Sequence, residues 1–193
     1  MIAFVQGEFT DKTPSQVIVD VNGVGYELQI SLNTYTEISE KNHGKLLTYL
    51  HITENAQTLY GFANATEKEM FLNLISVSGV GASTARMMLS GMKPDEISSA
   101  IVQNDANQLS KIKGIGKKTA ERLIVELKDK LGKQSITTSF TKGSENRTET
   151  DAITALIGLG INRPAAENII KKVVLSSPHL PLEAIIKQAL KNL

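Results

Sequence analysis

One stretch of this chain is written twice. Residues 74–85 (LISVSGVGASTA) lie over residues 109–120 (LSKIKGIGKKTA) at an offset of 35, with identities at Leu74/Leu109, Gly79/Gly114, Gly81/Gly116, Thr84/Thr119 and Ala85/Ala120. Val77/Ile112 and Val80/Ile115 are conservative pairs. Each copy sits between an apolar helical segment and a second helix, so the frame is helix, Gly-apolar-Gly hairpin, helix. A Gly-x-Gly turn that leads into a helix can take positive φ and has no Cβ atoms to hold a ligand away. Its amides join the unpaired N–H donors of the helix's first turn and form a cradle for an anion. The residue between the glycines, Val80 or Ile115, is expected to tuck inward and fix the hairpin on its helices. Ser83 and Thr84 in one copy, and Lys117, Lys118 and Thr119 in the other, can add hydroxyl or ammonium contacts to the same phosphate. Contacts of this kind position a nucleic-acid duplex without reading its sequence.

The copies differ in charge. Between Lys111 and Arg122 stand five basic residues (Lys111, Lys113, Lys117, Lys118 and Arg122) against the single acid Glu121. The first hairpin has only Arg86 nearby, and Ser83 where the second has Lys118. The second is expected to bind more tightly and with steeper salt dependence. The bland alternative is a pair of helix–turn–helix corners whose glycines serve as caps, with the lysines forming a solvated face.

Charge along the chain agrees with a binding region past the amino-terminal third. The whole protein is only +1, but residues 1–65 carry three basic and seven acidic side chains, whereas 66–132 are net +2 and 133–193 net +3. Hydrophobic content of 41% with 21% charged residues is that of a globular protein rather than a disordered one. There is no cysteine, which excludes disulfides and thiolate metal sites and fits a reducing compartment. No apolar run is long enough to cross a bilayer, and Met1-Ile2-Ala3-Phe4 lacks the basic start of a secretory leader, so the expected location is the cytoplasm.

The expected organisation is multidomain α+β. Residues 1–64 read as about five short strands: Ile2–Phe9, Gln16–Val21, an alternating strand through Tyr26, Leu28 and Ile30, Leu46–Ile52, and Thr58–Phe62. The turn at Asn22-Gly23 joins the second and third, little helix is expected, and a small closed barrel results. Residues 65–131 read as helical, opened by a capping box at Thr66-Glu67-Lys68-Glu69, with Pro94 in a first turn. Residues 132–147 are rich in Ser, Thr, Lys, Gly and Asn and are expected to form a flexible linker. Residues 148–193 read as a three-helix bundle. Thr148 and Asp151 mark its start, and Pro164 and Pro181 open its second and third helices. Expected buried stripes are Ile153, Leu156, Ile157 and Leu159 closed by Gly160, then Ile169, Ile170, Val173 and Val174, then Ile185, Ile186, Ala189 and Leu190.

Catalytic motifs fail on inspection. Gly116-Lys117-Lys118-Thr119 resembles a nucleotide-binding loop, but Lys118 separates Gly-Lys from the hydroxyl, and Lys111 stands where the upstream glycine belongs. A dinucleotide fingerprint would need glycine at 84 or 119, where threonine stands. His43, His51 and His179 are scattered, and no carboxylate cluster suggests a two-metal nuclease. The expectation is a DNA-binding protein with no catalytic site, metal or cofactor. Two rivals stay open: a helix-hairpin-helix glycosylase or nuclease component, and a duplex clamp indifferent to branching.

Over essentially its full length the chain resembles the RuvA family of Holliday junction branch-migration subunits. The residues that carry the likeness are 22–27 (NGVGYE), 59–62 (LYGF), 89–92 (LSGM) and above all 114–126 (GIGKKTAERLIVE). The resemblance implies an OB-fold barrel, a tandem helix-hairpin-helix domain and a mobile carboxy-terminal three-helix domain. It further implies a homotetramer that holds four-way junction DNA open and flat. The DNA-binding residues would be Gly79, Val80, Gly81, Ser83, Thr84, Gly114, Ile115, Gly116, Lys117, Lys118, Thr119 and Arg122. The carboxy-terminal domain would dock on the hexameric RuvB ATPase, which supplies the energy, and a resolvase, RuvC, would later cut the junction. An acidic barrel loop would lie at the centre of the plate, where its charge repels phosphate and helps to part the strands. That loop is Glu54-Asn55 here, with Asn55 where the family often has a second acid, so four central carboxylates replace eight. Ser83 is a second departure, since some relatives carry lysine there. The motor-facing surface is sought around Leu159, Gly160 and Ile161 and along the last helix, with core packing as the alternative.

Overall fold

The computed structural model of the chain describes residues 1–138, 144–177 and 180–192, which divide into two compact units, Met1–Ile136 and Thr137–Leu193. The first unit opens with a closed barrel of five strands: β1 (Phe4–Thr13), β2 (Gln16–Val21), β3 (Val24–Ile30), β4 (His43–Ile52) and β5 (Gln57–Phe62). Their order around the barrel is β1-β2-β3-β5-β4, with β1 pairing back onto β4 and a single parallel pair, β3 with β5. This is the closed barrel expected from the pattern and the OB-type barrel that the resemblance implies. The β2–β3 hairpin turns at Asn22 (φ 52°) and Gly23 (φ 88°), the two left-handed positions that a tight primed turn requires. The Gly23 N–H donates to the Asp20 carboxylate at 2.7 Å. Leu28 and Ile30 join Val5, Val17, Val19 and Leu46 inside, while Glu27 and Gln29 face outward, as period-two alternation dictates.

A helix that the residue pattern did not suggest, α1 (Leu32–Ile38), joins β3 to β4. At seven residues it is too short to show helical periodicity. Its start is fixed locally, because the Ser31 hydroxyl accepts from the Thr34 N–H at 3.1 Å.

The strands β4 and β5 have two apolar faces, which is why barrel and helices fold as one unit. Leu46, Leu50 and Leu59 turn into the barrel, while Leu47, Tyr49, Tyr60 and Phe62 turn onto the helices that follow. Phe71 meets them there, fully buried, with its ring 5.6 Å from Tyr49, 5.1 Å from Tyr60 and 4.9 Å from Phe62 between centroids. Truncating a phenylalanine in such a place costs about 3–5 kcal/mol.

Phe71 belongs to α2 (Ala65–Ile75). The helix starts two residues before the expected capping box: Asn64, not Thr66, is the N-cap and accepts from the Glu67 N–H at 2.9 Å. The Glu67 carboxylate is fully buried and turned away from the helix end, accepting from the hydroxyls of Ser31 and of Thr34, the latter at 2.6 Å. With Asn64 as the cap, Glu67 stands at the third helical position, and these barrel-side hydroxyls hold its carboxylate. There follow α3 (Ala82–Gly91), α4 (Pro94–Val102), α5 (Ala106–Ser110) and α6 (Lys117–Thr138). Pro94 is the first residue of α4, as expected, and Glu96 accepts from the Lys93 N–H at 2.7 Å. The buried residues Leu74, Met88, Leu89, Ile97, Ile101, Leu109, Leu123 and Leu127 make one core under both hairpins.

Helix α6 continues seven residues past the expected boundary at Leu131, through Gly132, since a lone glycine costs only about 1 kcal/mol and no proline follows it before Thr138. Of the stretch 132–147 expected to be a linker, residues 139–143 lie outside the described residues, so its flexibility does too.

The second unit contains α7 (Ser144–Gly158), α8 (Arg163–Ser176) and α9 (Leu182–Lys191). Helix α7 begins four residues before the expected start at Thr148, with no Gly or Pro between Ser144 and Ile157 to stop it. Asn162 caps α8, accepting from the Ala165 N–H at 2.9 Å, so Pro164 is the second residue of that helix; Pro181 is the N-cap of α9. The core is Ala152, Leu156, Ala166, Ile170, Val173, Ile185 and Ala189. Three residues of the expected stripes are instead exposed: Ile157 (37%), Leu159 (63%) and Leu190 (43%). Each follows a residue of the buried stripe or lies past the helix end, and one step along a helix turns the side chain about 100° off its face.

Candidate nucleic-acid interface

The repeat found in the sequence is a repeat in three dimensions. In the first copy the Val77 N–H donates to the Leu74 carbonyl at 3.1 Å and the Val80 N–H to the Val77 carbonyl at 3.1 Å. In the second, Ile112 N–H meets the Leu109 carbonyl at 3.2 Å and Ile115 N–H meets the Ile112 carbonyl at 3.0 Å. Gly79 and Gly114 hold φ of +90° and +93°, which a side chain would strain. Val80 and Ile115 are 5% and 4% exposed, so their side chains lock the hairpins to the core and cannot themselves reach a ligand.

The second glycine of each hairpin is more telling. Gly81 has an ordinary extended backbone, φ −80° and ψ 165°, and neither Gly81 nor Gly116 has positive φ. A Cβ built at either would meet nothing within 4 Å. Neither packing nor a left-handed backbone therefore demands glycine there, and the space outside both positions is open.

Each glycine also leads into an uncapped helix. Helices α1, α2 and α5 are capped by the side chains of Ser31, Asn64 and Asp105, whereas Gly81 offers α3 no side-chain cap. The first amide of α3 with an intrahelical acceptor is that of Ala85, bonded to the Gly81 carbonyl at 2.9 Å; in α6 it is Ala120, bonded to Gly116 at 2.9 Å. The N–H groups of Ala82, Ser83 and Thr84, and of Lys117, Lys118 and Thr119, come before those bonds and are helix-end donors. Ser83, Lys117 and Lys118 are exposed, and Thr84 and Thr119 half-buried.

In the second copy two ammonium groups sit on the first turn of α6, which has no acid in that turn. Cations at the positive end of a helix oppose its dipole. A sequence that keeps two of them there is locally at odds with its own helix, and an anion seated between amides and ammoniums relieves both.

Three cationic or acidic positions differ from what the residue pattern suggests. Arg86, the basic residue beside the first hairpin, is turned toward the barrel, donating to the Ser15 carbonyl at 2.9 Å and the Gln29 side chain at 2.5 Å. Arg122 reaches across to the first hairpin, donating to the Ser78 carbonyl at 3.3 Å, and pairs with Glu126 at 3.8 Å. It thus ties the two hairpins together. The third is the buried Glu67 carboxylate, whose sequence signal is an acid within an apolar helix face.

Glu54 and Asn55 occupy the exposed tip of the β4–β5 hairpin. The turn is closed on itself: the Thr53 N–H donates to the Ala56 carbonyl at 2.9 Å, and the Ala56 N–H to the Thr53 hydroxyl at 3.1 Å. In the second unit Leu159 is exposed and Gly160 has φ +92°, but Ile161 packs half-buried against the core, so Leu159 is the exposed apolar side chain of that trio. Among the described residues no group of three His, Asp or Glu side chains is placed to hold a metal ion, and no helix is long and apolar enough to cross a membrane. His179 lies outside the described residues.

Three family models cover most of the chain. Residues 1–61 match the RuvA N-terminal domain, 71–129 the SAM-like helix-hairpin-helix tandem, and 148–193 the RuvA C-terminal domain. The chain is 46% identical over 193 residues to the Holliday junction branch migration complex subunit RuvA of Flavobacterium psychrophilum, covering 100% of both chains. It is 43% identical to the subunit of the same name from Cytophaga hutchinsonii over 99% of both, and 41% identical to that from Geobacter sulfurreducens over 100% of this chain and 99% of the relative.

Proposed function

The chain belongs to the RuvA family, and on that premise we propose that it is the non-catalytic DNA-binding subunit of a branch-migration complex, holding four-way junction DNA open during recombination and repair. The observation that carries the DNA-binding part is the pair of glycines, Gly81 and Gly116, whose missing side chains leave open space outside the unpaired amides of two helix starts. In this reading each hairpin presents main-chain amides to one backbone phosphate. Ser83 and Thr84 add hydroxyls in the first, and Lys117, Lys118 and Thr119 add charge and a hydroxyl in the second. Arg122 serves by fixing one hairpin against the other.

The finer assembly is part of the proposal. The subunit forms a homotetramer, so that four copies of Glu54 surround the crossover and repel the phosphates of strands being parted, with Asn55 contributing no charge. The carboxy-terminal three-helix domain, 148–193, recruits the hexameric RuvB ATPase through a surface that includes Leu159, and RuvC acts on the junction held by the tetramer. The energy comes from that motor, and the work is done in the cytoplasm.

A competition binding experiment tests the junction reading. Labelled four-arm junction is bound in the presence of a large excess of linear duplex, with the mass of the free and bound species measured. Junction binding should survive the competitor and four subunits should be found per junction. Equal competition by linear duplex would replace the junction reading with that of a general duplex clamp.

A further inference from the structure

We propose that the imidazole of His51 is a positioning residue for the acidic tip, coupling Glu54 to the helix that leads into the first hairpin. The inference rests on the pin role given to Glu54 above. Its observation is a chain of aromatic contacts that begins three residues below Glu54. The His51 ring lies 6.3 Å from Tyr49, stacked at 28°, and 6.4 Å from Tyr60, edge-on at 69°. Tyr49 and Tyr60 are register partners across β4 and β5, and both rings rest on Phe71 of α2. Separations of about 4.5–7 Å with offset or edge-on approach are those at which aromatic pairs attract.

The sequence places His51 where it matters. Positions 47, 49 and 51 share the outer face of β4, so the face that packs on the helices ends at His51. Beyond it Ile52 is 62% exposed, and the turn Thr53–Ala56 is closed by its own hydrogen bonds. The half-buried His51 is the last side chain on that face, and it reaches α2 through Tyr49 and Tyr60, whose rings rest on Phe71. If its ring is removed, the two-stranded tip stays folded but is freed to rock on the barrel edge. The carboxylate then spends less time at the height where it opposes phosphate, while the hairpin amides are untouched.

The test compares full-length His51→Ala, His51→Phe and Glu54→Gln on a junction carrying 2-aminopurine at the crossover, whose fluorescence reports unstacking, with junction affinity measured alongside. His51→Ala should bind the junction within about twofold of the parent and open the crossover roughly fivefold less, the worth of one aromatic pair. His51→Phe, which keeps a ring and removes the polar nitrogens, should restore opening. Unchanged opening in His51→Ala while Glu54→Gln reduces it would overturn the coupling and leave the pin reading intact. Unchanged opening in Glu54→Gln would instead remove the pin reading. Failure of the phenylalanine variant to rescue, with junction binding intact, also overturns the proposal, since stacking would then not be what His51 supplies.

Discussion

The two hairpins have the same backbone and opposite allegiances. The first is built into the barrel: its leading helix α2 carries Phe71 into the aromatic cluster of β4 and β5 and buries Glu67 against Ser31 and Thr34. Its following helix commits Arg86 to Ser15 and Gln29. The second is led by α5, five residues long and capped at the surface by Asp105, and it spends its basic residues on solvent: Lys111, Lys113, Lys117 and Lys118 are all exposed. Under the proposed function, one copy of the duplicated motif sets where phosphate binds relative to the barrel, and the other supplies the charge. A duplication lets these tasks separate, because the amide cradle common to both survives any change in the side chains around it.

The largest test of that division is charge removal in the second copy. Lys117→Ala with Lys118→Ala should lower junction affinity on the order of a hundredfold at moderate salt and flatten the plot of log affinity against log salt by about one to two units. The reciprocal change, Ser83→Lys, gives the first copy the charge it lacks and should steepen the plot by roughly one unit. If removing both lysines leaves the salt slope unchanged, they do not face phosphate, and the hairpins differ only in sequence.

A second comparison isolates the amides. Gly81→Ala and Gly116→Ala each place a methyl group in open space with no conformational penalty, so each should cost the free protein less than about 1 kcal/mol, the difference between glycine and alanine before a helix. Each should nevertheless weaken junction binding, on the order of tenfold, because the methyl displaces a phosphate from the amides. The two substitutions should be alike, in contrast to the lysine changes, and neither should alter the salt slope. Unfolding midpoints with gel-shift titrations decide it. Normal binding by both variants would mean that nothing approaches the cradles.

These differences also mark how far residues alone could lead. The 35-residue repeat, the Asn22-Gly23 turn and the inward Val80 and Ile115 were legible because each rests on local backbone geometry. The allegiance of Arg86 was not, since its partners Ser15 and Gln29 are 71 and 57 residues away and reach it only once the barrel closes. The same holds for the tertiary part of the start of α2: Asn64, not Thr66, is the cap, and Glu67 is held by Ser31 and Thr34, 36 and 33 residues away. Helix α1 was missed for want of length, and Leu159 was assigned both to a buried stripe and to a partner-facing surface, because an apolar residue at a helix end reads the same in either place; it is exposed.

The smallest effect concerns the anchoring of the first hairpin through Glu67. Burial pushes its carboxyl above the ordinary carboxylate range, with Glu37 nearby acting the same way, against the pull of the Ser31 and Thr34 hydroxyls. The folded protein thus holds this proton more tightly than the unfolded chain does. The stability so gained is complete below the unfolded value and is lost as pH rises through the folded one. Glu67→Gln removes the titration and keeps a polar group against the hydroxyls, so its stability relative to the parent should increase as pH is raised from about 4.3, the free glutamate value, to neutrality. Urea midpoints of both proteins across that range measure the difference, and titrations elsewhere cancel between them. The lysine-driven salt slope should be the same in both, since Glu67 anchors the copy that carries no charge. A difference in stability that stays constant with pH would show that Glu67 holds α2 to the barrel without the proton mattering, and would confine the contrast between the hairpins to their surfaces.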